Sequence, residues 1–264
     1  MSTATKIIKK IQKEEKEKFV SVVVPIFNKV QFTLQMLSYF FANTKLPCEL
    51  IIVDNNSTDG SEELIKKFFK LCPDHIQGQY IKNTKNNGFS IANNQAVQVA
   101  SGNLICFLNN DTIPLKNWLT ELVSSHKQHK SSVTGSKLIL PGQGTIQHAG
   151  VEFDNFSYPY HKYCGYNSEI KEASEDAECS AVTGACMLVN KDEFLKIGGF
   201  DEEYWLGWED IDLCNRYKKA GKSIWYSSKS ELYHYESMSD GRYSKESDNW
   251  YLYSKRWVFT QFNS

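Results

Sequence analysis

The sequence predicts an α/β domain built on a mostly parallel, doubly wound sheet, and three observations predict it. Between residues 19 and 111, short β-branched or apolar runs alternate with segments whose apolar residues recur at helical spacing. Strands joined by crossover helices pair in parallel, so this alternation points to one sheet covered on both faces. Two of the runs, residues 49–54 and 104–111, end in aspartate. Open α/β sheets bind ligands at the carboxyl ends of their strands, which makes these ends candidate sites. Finally, 264 residues of which 41% are hydrophobic suffice to build a core for one large domain or two small ones.

Taken in order, residues 5–18 carry Ile7, Ile8 and Ile11 among Lys and Glu and predict a short charged helix ahead of the domain, exposed to solvent. A basic face lying on an anionic membrane surface is the alternative, which three interleaved glutamates weaken. From Phe19 a β-branched run predicts the first strand, stopped by Pro25, and helical spacing over 31–41 predicts a helix. Residues 49–54 form the second strand. In the loop Asn55-Asn-Ser-Thr-Asp-Gly60, Ser57 or Thr58 is placed to cap a helix over 62–71. A weaker strand over 79–82 leads through Asn86-Asn87-Gly88 to a helix over 90–100. Residues 104–108 form the fourth strand, which Thr112, Ile113 and Pro114 cannot prolong because proline lacks the ladder donor. Asn109-Asn110-Asp111 then delivers polar groups to the strand end; an Asx-turn is the competing reading.

Beyond Asp111 the alternation decays. A helix over 115–127 precedes Gly- and aromatic-rich segments at 141–144 and 155–166, expected as loops or short antiparallel strands. Residues 180–189 read as a further strand whose Thr183, Gly184 and Ala185 leave room beside a ligand, although ordinary sheet packing also explains small residues there. Residues 200–210 lead into a helix over 211–220 closed by Gly221.

Bulk properties exclude several classes. A net charge of −1, with Lys and Arg not concentrated in the centre of the chain, gives no electrostatic basis for binding nucleic acid. Seven cysteines without a CxxC pair read as reduced structural thiols of a cytosolic protein. No run of 18 apolar residues and no signal-peptide-like region occur, so neither spanning nor secretion is expected. Nothing in the sequence sets an oligomeric state.

The residues that carry chemistry are few. Where a dinucleotide fold has GxGxxG, this chain has Pro25-Ile-Phe-Asn-Lys-Val, and it has no P-loop. A nucleoside diphosphate on this sheet would lack a glycine cradle, and a hard divalent cation on Asp111 is the simplest way to neutralise it. Asp54 would lie on the same edge and suits a base or ribose contact; a loop-capping aspartate is its alternative. Glu209 and Asp210 precede a helix, where acidic residues favour the macrodipole. Trp205, Leu206 and Trp208 around them would partly desolvate the pair, and desolvation raises a carboxylate pKa towards that of a general base. Asp212 and Arg216, spaced i,i+4, read as a surface ion pair. Of six histidines only His234, at the end of a further strand, is placed like a metal ligand, a structural role being the alternative. His148 and His161 lie in loop-like sequence and are candidates to line an acceptor cleft.

Val22-Val-Val-Pro-Ile-Phe-Asn28, Ile52-Val-Asp-Asn-Asn-Ser-Thr-Asp-Gly60, Asn86-Asn-Gly-Phe89, Leu108-Asn-Asn-Asp111, Thr183-Gly-Ala-Cys-Met-Leu-Val189, Gly198-Gly-Phe-Asp201 and Trp208-Glu-Asp210 follow one another in this order. Together they resemble the family 2 inverting glycosyltransferases of the GT-A fold, which include bacterial rhamnosyl- and galactosyltransferases of surface polysaccharides. The resemblance covers residues 19–240. It implies a nucleotide-binding half over 19–111 and an acceptor and catalytic half over 112–240, with 241–264 as an extension. It further implies that Pro25, Phe27, Asn28 and Asp54 contact base and ribose, and that Asn86, Asn87 and Gly88 close over them. Asn109-Asn110-Asp111 takes the family's DxD position with Asn in first place, so only Asp111 supplies an anionic metal ligand, while Asn109 and Asn110 serve the nucleotide. His234 matches a second metal ligand, Asp210 the catalytic base with Glu209 beside it, and Thr183, Gly184, Ala185 and Trp208 the donor and acceptor pocket.

Tyr253-Ser-Lys-Arg-Trp257 has Tyr where processive relatives have the Gln of QxxRW, which implies a non-processive enzyme of hexosyltransferase type. The resemblance implies a dTDP-, UDP- or GDP-linked sugar donor, Mn2+ or Mg2+, and a glycan or lipid-linked acceptor met at the cytoplasmic face of a membrane. Gly241-Arg-Tyr is a candidate loop over the donor. A sugar nucleotidyltransferase is a rival, but those enzymes resemble one another in a Gly-rich basic loop after the first strand, which Pro25-Ile-Phe-Asn28 is not. A catalytically inert glycan- or sugar-nucleotide-binding domain is a second rival, against which the Glu209-Asp210 pair argues.

Overall fold

Ten buried valine and isoleucine positions dominate the parallel strands that organise the computed structural model, which describes residues 19–235 and 245–259. The expectations for residues 1–18 and for Gly241-Arg-Tyr lie outside the described residues. In chain order, β1 is Val20–Ile26, α1 Val30–Asn43, β2 Cys48–Asp54, α2 Ser61–Phe68, β3 Ile76–Lys82, α3 Gly88–Val99 and β4 Leu104–Leu108. There follow β5 Thr112–Pro114, α4 Trp118–Gln128, β6 Val133–Ile139, β7 Ile146–His148, β8 Val151–Phe153, β9 Pro159–His161, β10 Ala177–Glu178 and β11 Cys186–Asn190. Helices α5 Lys191–Lys196 and α6 Glu209–Lys219, strand β12 Ile224–His234 and helix α7 Glu246–Tyr253 complete the description.

Strands β3, β2, β1 and β4 pair in parallel, as strands linked by crossover helices must. The sheet continues through β11, antiparallel to both β4 and β6, and then through β6 to β12, which pair in parallel, with β10 at the far edge. Its side chains alternate between two cores. Val22, Val24 and Ile52 face Met36, Leu37 and Phe40 of α1 and Trp118 and Leu122 of α4. Val23, Ile51 and Phe107 face Ala92 and Ala96 of α3 and Leu213 and Tyr217 of α6. Coverage on both faces explains why β1, β2 and β4 read as continuous apolar runs, whereas β3, at the edge of the sheet, is largely exposed. β8 and β9 form a separate hairpin.

Several expectations need correction. Pro25 does not stop β1, because the pairing with β4 ends at Val23 and Pro25 has only β2 as a ladder neighbour. Thr112, Ile113 and Pro114 do form a strand, but it pairs with β12 instead of prolonging β4. The strand over 180–189 begins only at Cys186 and runs to Asn190, so Thr183, Gly184 and Ala185 sit in irregular backbone before it. Helix α2 starts at Ser61 with no side-chain cap; the Ser57 hydroxyl accepts from the Asn28 N–H instead. Asp212 and Arg216 are not a surface pair, since Asp212 is buried and also accepts from the Trp257 indole N–H at 2.8 Å. Strand β6 lies where the sequence predicts no element. All seven cysteines are free thiols, and among the described residues no helix is long and apolar enough to cross a membrane.

Candidate active site

The carboxyl ends of β1 and β4, the segment before β11 and the start of α6 meet over two adjoining cavities. The smaller, of about 90 Å³, is lined by Pro25, Phe27, Asn86, Gly88, Asn110 and Asp111, with Asn55 and Trp205. The larger, of about 410 Å³, is lined by Thr183, Gly184, Ala185, Trp208, Glu209, Asp210, His161 and His234. Asn109 borders both. Gly88 has φ +77°, and a Cβ there would lie 2.8 Å from the Trp205 carbonyl oxygen, so only glycine lets the 205–206 segment close this wall.

Asp210 is held where α6 begins. Trp208, the residue before the helix, adopts a left-handed conformation (φ +75°) that a bulky side chain takes only under constraint. Its ring is packed against Tyr158, Trp250 and Tyr253, with centroids 5.0–5.7 Å apart, which supplies that constraint. Asp210 then falls in the first helical turn, half-buried, with Oδ2 accepting the Gly184 N–H at 2.8 Å. Glu209, beside it, is buried.

The second polar centre joins two distant parts of the chain. Asp111 Oδ1 lies 3.2 Å from His234 Nε2, both side chains being almost fully buried. His234 Nδ1 lies 2.6 Å from Gln147 Oε1, and the Gln147 amide nitrogen approaches the His234 carbonyl oxygen at 3.5 Å. That second contact orients the amide, so Oε1 accepts from Nδ1–H, which turns Nε2 towards Asp111. An imidazole nitrogen beside a carboxylate is a suitable donor pair for a divalent cation, and a hydrogen bond at the other ring nitrogen, such as the one to Gln147, is the kind that orients a ligating imidazole. Among the described residues no third His, Cys, Asp or Glu joins them. The pair therefore fits a divalent cation that takes its remaining ligands from groups other than these side chains.

Some expected site residues stand elsewhere. Asp54 is fully buried: its Oδ1 accepts the Ser57 N–H at 2.7 Å and its Oδ2 the Tyr80 hydroxyl, so it closes its own loop and does not line either cavity. Asn28 ties the same loop, its side-chain oxygen accepting from the Thr58 N–H at 2.8 Å, and it lines neither cavity. Asn87 precedes α3 without lining the smaller cavity, whereas Asn86 lines it and accepts from the Gly88 N–H at 3.0 Å. His148 is not in a loop but fully buried in β7, behind His161. Asn55 and Gln147 were missed. Each sits one position from a residue singled out, Asp54 and His148, and only the fold tells which neighbour turns to the site.

The architecture and its ligand edge define the GT-A fold, shared with solved structures of glycosyltransferases. Residues 21–197 match the family model described as glycosyl transferase family 2, and the chain belongs to that family. Residues 165–239 also match a model described as the N-terminal domain of galactosyltransferase. The chain is 29% identical over 245 residues to the O-antigen biosynthesis protein RfbC of Myxococcus xanthus, an alignment covering 89% of this chain and 19% of that protein. Among solved structures, GalNAc-T7 with UDP, GalNAc and Mn2+ superimposes with a TM-score of 0.68 at 16% identity, over 82% of this chain and 43% of that one. The mannosyltransferase PcManGT of Pyrobaculum calidifontis, in complex with GDP-Man and Mn2+, gives 0.64 at 14% identity, over 85% and 59%. The chain spans about a fifth of the length of the first curated relatives it matches.

Proposed function

We propose that the chain is an inverting, non-processive glycosyltransferase that moves one sugar from a nucleoside diphosphate sugar to a hydroxyl of a glycan or lipid-linked glycan. The observation that carries this reading is the Asp210 carboxylate, held by the Gly184 N–H and facing a cavity that adjoins the Asp111–His234 pair. Asp210 accepts the proton of the acceptor hydroxyl while that oxygen attacks the anomeric carbon, and the bond to the diphosphate oxygen breaks on the opposite face, which inverts the configuration. Asn86, Asn109 and Asn110 supply neutral amide groups to the nucleotide side of the smaller cavity, and Pro25 and Phe27 supply apolar contacts. Asp111 and His234 would hold a divalent cation, which supplies neutralisation of the charge developing on the departing diphosphate. The GT-A neighbours described with UDP or GDP-Man and Mn2+ support a nucleotide sugar and a divalent cation, and the O-antigen relative supports a polysaccharide acceptor.

Asp210→Asn keeps the shape and the Gly184 contact but removes the base. It is expected to lower kcat by about 10²–10⁴-fold while leaving the donor dissociation constant unchanged. Calorimetric donor binding and a coupled assay for released nucleoside diphosphate measure both; retained turnover, or binding lost together with turnover, refutes the assignment. Release of pyrophosphate from a nucleoside triphosphate would instead favour nucleotidyl transfer.

A further inference from the structure

The hairpin β8–β9 carries aromatic side chains that the core does not use. Phe156 is 83% exposed, and Tyr158 and Tyr160 about half, although burying a large apolar side chain contributes about 1.5–3 kcal/mol. Tyr158 is nonetheless firmly placed. Its ring meets Trp208 at 5.7 Å and 75°, and Trp250 at 5.3 Å, while its backbone N–H donates to Asp154 at 2.9 Å within the hairpin turn. Tyr158, Tyr160 and Trp208 line the same cavity as Asp210. Whatever molecule presents a hydroxyl to Asp210 must therefore lie along this aromatic wall.

Polar groups are set among the rings: His161, Thr183 and Glu246 line the cavity too. The proton of His161 can be placed. His148 Nε2 accepts from the Gly150 N–H at 3.3 Å, and burial holds His148 well below the ordinary histidine range, so this neutral ring carries its proton on Nδ1. That proton is donated to His161 Nδ1 at 2.7 Å, which leaves His161 as a donor at Nε2. A hydrocarbon chain matches a continuous apolar groove, not rings alternating with donors and acceptors. A pyranose ring, with a face of C–H groups and a rim of hydroxyls, matches the alternation, since Tyr and Trp offer rigid amphipathic surface at low entropic cost.

We propose that Tyr158, Tyr160 and Trp208 form an acceptor subsite for a saccharide ring, so that the chain extends a glycan and does not glycosylate a bare lipid phosphate. This rests on the glycosyl-transfer reading given above. The test is saturation-transfer NMR on the full chain with methyl glycosides of galactose-, rhamnose- and N-acetylglucosamine-containing disaccharides, and with decyl phosphate, in the absence of any donor or metal. At least one glycoside is expected to bind the wild type saturably. Tyr158→Phe is expected to retain that affinity, and Tyr158→Ala and Tyr158→Leu to weaken it by about tenfold or more. Unchanged melting temperatures show that the variants fold; the two truncations guard against one of them failing. Absence of glycoside binding, equal binding by the truncated variants, or decyl phosphate displacing the glycoside in a Tyr158-dependent manner overturns the subsite. Because no turnover is read, a chain that binds glycosides through Tyr158 yet transfers no sugar refutes the transferase reading alone.

Discussion

One imidazole, that of His234, owes its place in the chemistry to a neighbour that fixes its proton. Gln147 accepts at Nδ1 and so turns Nε2 towards Asp111. Outer-shell partners of metal ligands typically contribute 10–100-fold to affinity. Gln147→Ala is therefore expected to raise the Mn2+ concentration needed for half-maximal donor binding by about that factor without changing the fold, as manganese titrations and circular dichroism would show. Asp111→Ala removes the proposed charged ligand, and donor affinity in saturating Mn2+ is expected to fall; an unchanged dissociation constant would exclude Asp111 from the cation. At this scale the sequence was partly legible. Asp111, His234 and Asp210 were singled out from their positions at strand and helix ends, and the structure brings them to one edge. Asp54 stands at an equivalent strand end, yet the Tyr80 hydroxyl from the neighbouring strand and the Ser57 N–H take both its oxygens. A cross-strand partner of that kind cannot be read from local sequence.

Helix α4 illustrates how an element is fastened. His126 is buried, its Nδ1 lying 2.8 Å from the Thr134 hydroxyl of β6, and burial pushes its pKa down to about 4, offset in part by the Glu193 carboxylate and reinforced by Lys127. A histidine depressed in the folded state binds its proton first in the unfolded chain, so between the ordinary value of 6.5 and about 4 the unfolded state gains protons as pH falls. Its contribution to stability is complete above pH 6.5 and is lost towards pH 4, on the order of 3 kcal/mol in all. Urea titrations across that interval should show His126→Gln with a shallower loss of stability than the wild type; equal slopes would show that His126 does not titrate there. Strands β1, β2 and β4 and the helices of the parallel half were legible because both faces of those strands are buried and each crossover restarts the pattern, while the exposed edge strand β3 reads more weakly. The strands β5, β7, β8 and β10, two or three residues each, were not, since so short a segment shows no periodicity and is held by its partners, whereas β9 falls in residues 155–166, where loops or short antiparallel strands were expected.

At the scale of the whole molecule, the site is assembled from β1, β4, the start of α6 and the end of β12, so a ligand there braces both halves of the sheet. A donor that binds only the folded state stabilises it by RT ln(1 + [L]/Kd), about 2.7 kcal/mol at a hundredfold excess over Kd. For a domain of this size that corresponds to a rise in Tm of about 5–10 °C. Differential scanning fluorimetry with UDP-, dTDP- and GDP-sugars in Mn2+ should find the cognate donor by such a shift, and EDTA should abolish most of it. A shift that survives EDTA would argue for cation-independent binding. By itself the sequence determined the parallel half of the sheet and the family motifs. It also placed the three ionisable side chains assigned to base and cation, because strand periodicity and polar strand ends are local properties. Only the tertiary structure decided that His234 meets Asp111 across 123 positions of chain. It likewise decided that Asp54 turns inwards and that the β8–β9 aromatics wall the Asp210 cavity. Those outcomes depend on which strands become neighbours, and strand order is set by the burial of both sheet faces together and not by any one segment.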